Sequence, residues 1–141
     1  EAQMKASLKR LRPAVAASAT SLTDIRGVGV VVAALILGHV GDVSRFKSAA
    51  HFASYNGTAP IEASSGEKNR HRLNQRGNRQ LNWAIHVAAV TQLRQPCDGR
   101  EYYDRKRAEG KNNKEAIRAL KRQLSNVIYR SLIADARRLE Q

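Results

Sequence analysis

The sequence predicts a mainly α-helical domain that contains a helix-hairpin-helix and one long basic loop. Apolar residues recur at helical spacing through most of the chain. A Gly27-Val28-Gly29 step lies between a short amphipathic turn and an apolar helical run that ends at Gly41. Residues 57–80 hold few apolar side chains and a dense set of cations. With 141 residues and 42% apolar content, the chain is long enough to bury one core. Its 25 Lys+Arg against 12 Asp+Glu leave a formal net charge of +13. That excess points to a polyanion, nucleic acid ahead of an anionic membrane.

Met4, Leu8, Leu11 and Val15 form one narrow helical stripe, with Pro13 predicting a kink or a helix start beside it. The stripe suits either packing within the domain or a short oligomer seam. The glycines of Gly27-Val28-Gly29 permit a tight turn and leave backbone N–H groups at the next helix's N-terminus, where the dipole favours phosphate. Ser44 to Asn56 reads as a further helix, stopped by Asn56-Gly57. Leu81 to Leu93 is apolar on most sides, with Trp83, Val87 and Val90 beside its main face, and is expected to be the central core helix. Pro96 and Gly99 then break the chain before a charged helix from Glu101 to Gly110. The last helix is expected from about Asn113 to Ala134, with a basic band of Lys114, Arg118, Lys121 and Arg122.

The longest apolar run, Val28 to Val40, is shorter than the ~20 residues a spanning helix needs. No basic-then-apolar leader precedes it, so neither a membrane span nor signal-directed export is expected. A chain that starts at Glu1 is expected to be a fragment or a processed product. Cys97 is the single cysteine, which excludes a disulfide framework and a CxxC zinc site.

The nucleophile candidate is Ser65, in the Ser64-Ser65-Gly66 step. A serine that attacks a phosphodiester must be exposed and surrounded by cations that hold the non-bridging oxygens. Lys68, Arg70, Arg72, Arg76 and Arg79 follow it, and the same residues also suit a solvated basic loop. His39, His51, His71 and His86 share no metal-ligand spacing; His39 and His86 are expected at or near the core, and His71 at a basic surface. The carboxylates are scattered, with no cluster suited to two metal ions, so no metal site is expected in this chain. Tyr102-Tyr103 could stack bases, with one ring packed on the core the plainer expectation.

The order of these motifs resembles the C-terminal domain of the DEDD-type insertion-sequence transposases. The resemblance runs through Leu22-x-x-Ile25-x-Gly27-Val28-Gly29, Leu35-Ile36-Leu37-Gly38-x-x-Gly41-Asp42 and Arg45-Phe46. It continues through Phe52-Ala53-x-Tyr55-x-Gly57-x-Ala59-Pro60, Ser64-Ser65-Gly66, Arg76-Gly77-Asn78-Arg79-x-Leu81, Tyr102-Tyr103 and Gly110-Lys111. It covers roughly residues 20–134. Arg26 stands where that family usually has Pro, Gln75 where Lys is common, and Gln80, Asn82 and Trp83 where arginines are common.

The resemblance implies a bridge-RNA-guided recombinase in which an N-terminal RuvC-like domain, absent from this chain, binds Mg²⁺. The C-terminal domain would supply the serine nucleophile, by position Ser65, with Ser64 as the alternative. Residues 1–19 would be the end of a helical, coiled-coil linker and residues 20–141 the C-terminal transposase domain. DNA, guide RNA and other copies of the chain are the implied partners, in a cytoplasmic, nucleoid-associated setting. Nucleic-acid contact is expected at Gly27, Gly29, Lys68, Arg70, Arg72, Arg76 and Arg79. A rival reading keeps the nucleic-acid binding and removes the chemistry; a third makes the helices an assembly domain.

Overall fold

A computed structural model describes residues 2–60 and 77–140, apart from the side chain of Met4. Among these residues the regular structure is helical throughout: α1 Ala2–Ala17, α2 Val30–Val40, α3 Ala49–Asn56, α4 Arg79–Gln92, α5 Asp98–Ala108 and α6 Asn113–Leu139. Two single 3-10 turns, Leu22–Asp24 and Val43–Arg45, join them. The mainly α architecture follows the sequence reading.

α4 lies at the centre and packs on α2, α3, α5 and α6. Leu81, Ala84, Ile85, Ala88 and Ala89 are fully buried along it, and the alanines let neighbouring helices approach closely. α2 contributes Val32, Ala33, Ile36 and Val40, and α6 contributes Leu120, Leu124, Ile128 and Leu132. Phe46, Phe52, Tyr55 and Tyr129 form a chain of aromatic contacts, with ring centroids 5.2–5.8 Å apart, beneath α3. Each large apolar side chain buried here contributes about 1.5–3 kcal/mol relative to exposure.

Several boundaries differ from expectation. α1 runs through Pro13 rather than starting there. Pro13 is exposed, so water can reach the carbonyl it leaves without an N–H partner. Among the described side chains of the α1 stripe, Val15 is buried and Leu8 and Leu11 are half-buried. The predicted helix from Ser44 to Asn56 is two elements, because two N-caps compete. Asp42 accepts from the Ser44 N–H at the 3-10 turn, and Ser48 accepts from the His51 N–H at α3. Between them Phe46 takes an extended backbone that places its ring in the core.

Gly99 does not break the chain but lies in the first turn of α5, which starts at Asp98. A Cβ at Gly99 would meet the Gln92 Oε1 at 1.8 Å, so the glycine serves close packing. α6 passes Ala134 and continues to Leu139. Its extra turn carries Asp135, which accepts from the Ser21 N–H at 2.9 Å and the Thr20 hydroxyl at 3.1 Å and pairs with Arg138. This network ties the start of the domain to its last helix.

Candidate functional site

Of the residues singled out by the sequence, Gly27, Gly29 and Arg79 are described. Ser64, Ser65, Gly66, Lys68, Arg70, His71, Arg72 and Arg76 lie outside the described residues.

Before Gly27 the chain makes the single 3-10 turn Leu22–Asp24, in the place of the short amphipathic turn that the sequence reading expects. Gly27 takes φ +89°, a conformation that favours glycine. A Cβ there would stand 2.6 Å from the Ala88 carbonyl oxygen, so Gly27 also permits the turn to lie on α4. The Gln92 amide, one turn further along α4, donates to the Arg26 carbonyl at 2.8 Å and holds the turn on the same helix. Gly29 differs: it is exposed, is the N-cap of α2, and a Cβ there would meet nothing within 4 Å. No side chain caps α2 and its first turn holds no acid. The first N–H groups of α2 are therefore left without a side-chain cap, and the turn before them lines a hollow that Asp24 and Thr91 also border.

Arg79, the first residue of α4, is exposed at that helix's other end. Ala88 stands nine positions further on, roughly 14 Å along the helix axis. The structure thus puts Gly27–Gly29 and Arg79 on separate surfaces rather than in one patch.

The described chain pauses at Pro60 and resumes at Gly77, and the flanking residues are bound to each other. The Asn78 N–H donates to the Tyr55 carbonyl at 2.8 Å. The Asn78 side chain accepts from the Leu81 N–H at 2.9 Å as N-cap of α4, and its amide lies 3.1 Å from both the Tyr55 hydroxyl and His39 Nδ1. Asn56, fully buried, donates to Ser125 Oγ at 3.0 Å and accepts from the Thr58 N–H and hydroxyl. The Asn82 amide donates to the Asn56 carbonyl at 2.9 Å, and Lys121 Nζ donates to Asn82 Oδ1 at 2.9 Å. The buried Asn56 thus has its side-chain amide and carbonyl satisfied, as a buried polar group must.

Cations surround this base. Arg45 donates to the Val40 and His39 carbonyls at the C-terminus of α2, where the helix dipole favours positive charge. Its guanidinium stands 4.6 Å from the Phe46 ring centroid and 4.7 Å from that of Tyr55. The Asn78 hydrogen bond, followed by Arg45, holds the Tyr55 hydroxyl below the ordinary tyrosine pKa. Burial lowers the pKa of Lys121, and burial followed by the Lys121 charge lowers that of His86.

Two aromatic expectations change. His86 is exposed rather than near the core, because it falls on the side of α4 opposite Leu81, Ala84 and Ala88. Trp83, expected beside the core face, is 53% exposed, whereas Tyr102 and Tyr103 are both half-buried. Tyr102 packs on the core and the Tyr103 hydroxyl donates to Asn113 Oδ1 at 2.6 Å. His39 is half-buried and bound to Asn78, close to the expectation. Asn56, Asn82 and Lys121 escaped the site reading of the sequence. Their one signal was polarity at positions facing neighbouring helices.

Among the described residues, no three of His, Cys, Asp and Glu come together as a metal site requires. None of the described helices is long and apolar enough to cross a membrane.

The profile of the Transposase IS116/IS110/IS902 family matches residues 19–104. The chain is 42% identical over 112 residues to the insertion element IS110 uncharacterized 43.6 kDa protein of Streptomyces coelicolor, covering 79% of this chain and 28% of that protein. It is 36% identical over 113 residues to the insertion element IS116 uncharacterized 44.8 kDa protein of Streptomyces clavuligerus, with the same coverage. A pilin gene-inverting protein of Moraxella bovis is 32% identical over 115 residues, 79% of this chain and 35% of that protein. The chain thus spans about a quarter to a third of the length of these relatives. With the match extending from Ala19 to Asp104, the chain belongs to the Transposase IS116/IS110/IS902 family.

Proposed function

We propose that this chain is the C-terminal part of a DNA transposase or recombinase and contributes Ser65 to DNA strand cleavage and rejoining. The observation that carries the reading is the Asn78–Tyr55 closure: the residues before and after the Ser65 segment are bound together beside Arg45, Arg79 and Lys121. A strand held there by its phosphates would meet a positive field, and the resemblance aligns the Ser-Gly step with a nucleophile. Family membership and the gene-inverting relative support DNA recombination as the reaction class.

In the proposed reaction, the Ser65 oxygen forms a bond to phosphorus and loses its proton. The bond from phosphorus to the leaving strand's oxygen breaks, and that oxygen departs as a hydroxyl. Attack by another strand's hydroxyl reverses the exchange and frees the serine, so rejoining needs no external energy source. The Mg²⁺ implied by the resemblance does not fit the described residues, which bring no ligand set together. It would belong to the RuvC-like domain, and no step here runs through it.

Gly29 and the uncapped start of α2 would hold a phosphate as in a helix-hairpin-helix, whereas Gly27 is explained by packing on α4. Guide RNA and further copies of the chain complete the proposed assembly, in the cytoplasm and on the nucleoid. The test uses a protein that includes the RuvC-like domain, with guide RNA, donor and target DNA and Mg²⁺. Ser65→Ala is expected to abolish cleavage with DNA binding intact, and Ser64→Ala to retain it. Undiminished cleavage by Ser65→Ala would leave the domain as a nucleic-acid clamp.

A further inference from the structure

Trp83 is the chain's single tryptophan and is 53% exposed on the outer side of α4. Arg79 precedes it by one helical turn and His86 follows it by one, so all three share a face. Arg79, Gln80, Trp83 and His86 are exposed there. On α6, Lys114, Arg118 and Lys121 form a second stripe at spacings of four and three. The stripes join where Lys121 Nζ donates to Asn82 Oδ1 at 2.9 Å.

The charge on this surface is one-sided. α4 contains no Asp or Glu. The first acid of α6, Glu115, is engaged in the capping box with Asn112, and the next, Asp135, binds Thr20, Ser21 and Arg138. Among the described residues, Arg79, Lys114, Arg118 and Lys121 have no ion-pair partner. A large indole left in water amid cations does not serve the core. A second copy of the chain would bring the same positive charge to this face.

We propose that the α4–α6 face binds an unpaired DNA strand, with a base stacked on Trp83 and adjacent phosphates held by Arg79, Arg118 and Lys114. An unpaired strand offers both partners the surface needs, a flat π-face and a string of phosphates. A duplex offers the phosphates but keeps its base faces stacked inside. The inference rests on the reading of this chain as a DNA transposase or recombinase part, since strand exchange exposes unpaired DNA. It assigns a surface separate from the Gly27–Gly29 turn, built from residues other than Ser65.

The lone tryptophan is its own probe. The chain is titrated with an oligothymidylate, an oligouridylate of equal length and a DNA duplex with the same number of phosphates. Saturable quenching of tryptophan emission is expected with the unpaired DNA and not with the duplex. By anisotropy of a labelled oligothymidylate, Trp83→Ala should weaken binding about 5- to 150-fold, the value of one base stack. Trp83→Phe should recover most of that loss. Arg118→Ala should weaken binding at every sequence and reduce the salt slope by about 0.7.

No quenching, equal quenching by the duplex, or unchanged affinity of Trp83→Ala would overturn the proposal. Tighter binding and stronger quenching by the oligouridylate would overturn its assignment to DNA. The readout is equilibrium binding, so this surface can fail while Ser65 cleaves DNA, and Ser65 can prove inert while the quench is seen.

Discussion

The backbone N–H of Asn78 donates to the carbonyl of Tyr55 at 2.8 Å, joining two residues that flank the segment containing Ser65. The same asparagine caps α4 through the Leu81 N–H and places its amide 3.1 Å from the Tyr55 hydroxyl and His39. One residue therefore serves helix start, chain closure and site polarity together.

Asn78→Ala is expected to lower the unfolding free energy by about 1–2 kcal/mol, since it removes the cap and leaves half-buried partners unsatisfied. Asn78→Ser restores the cap alone and should recover about half of that loss. Urea denaturation followed by circular dichroism measures both. Equal stability of Asn78→Ala and the parent chain would show that the side-chain cap and the amide contacts of Asn78 carry no energy.

Much of this arrangement was legible in the sequence. The helical spacing of Leu81, Ala84, Ile85 and Ala88 identified the central helix, and Asn56-Gly57 and Gly110 marked helix ends because glycine accepts the positive φ found there. The positions of Trp83 and His86 were not legible. A helix with alanines on one face and valines on another looks buried all round, and only the partners packed on it reveal which side stays in water. The pairing of Asn82 with Lys121 spans 39 residues and has no local signal.

The two glycines of the Gly27-Val28-Gly29 turn should separate by mutation. Gly27→Ala is expected to destabilise by about 2–3 kcal/mol, because it combines a φ of +89° with an approach to the Ala88 carbonyl. Gly29→Ala should cost about 0.5–1 kcal/mol, since its surroundings are open and only the N-cap preference for glycine over alanine is lost. Thermal unfolding of the two variants reads the difference directly.

Asp135 supplies a pH dependence with a definite sign. Burial raises its pKa, but hydrogen bonds from Ser21, Arg138 and Thr20 outweigh that and hold it below the ordinary carboxylate value. A depressed folded-state pKa means the unfolded chain binds the proton more readily, so the stabilisation is present above about pH 4 and lost as pH falls through the folded value. Asp135→Asn is expected to cost about 1–2 kcal/mol at pH 7 through loss of its charge-assisted bonds. The gap between parent and variant should narrow below about pH 4. A gap that widens in acid would contradict the assignment.

His86 provides an independent check on the α4–α6 contact. Its imidazole is held below the ordinary histidine value by partial desolvation against its neighbours and, after that, by the Lys121 ammonium. Lys121→Met removes the second cause, so the His86 midpoint in an NMR titration should rise. An unchanged midpoint would place Lys121 too far from His86 to act on it.

The central claim is chemical, and the most direct measurement is of mass. A protein that includes the RuvC-like domain would react with guide RNA, Mg²⁺ and a donor DNA whose exchange partner is withheld, be quenched under denaturing conditions and be digested. The account predicts a peptide containing Ser65 that carries a covalently bound nucleotide, absent from Ser65→Ala. Cleavage without any such adduct, or an adduct that persists in Ser65→Ala, would contradict it.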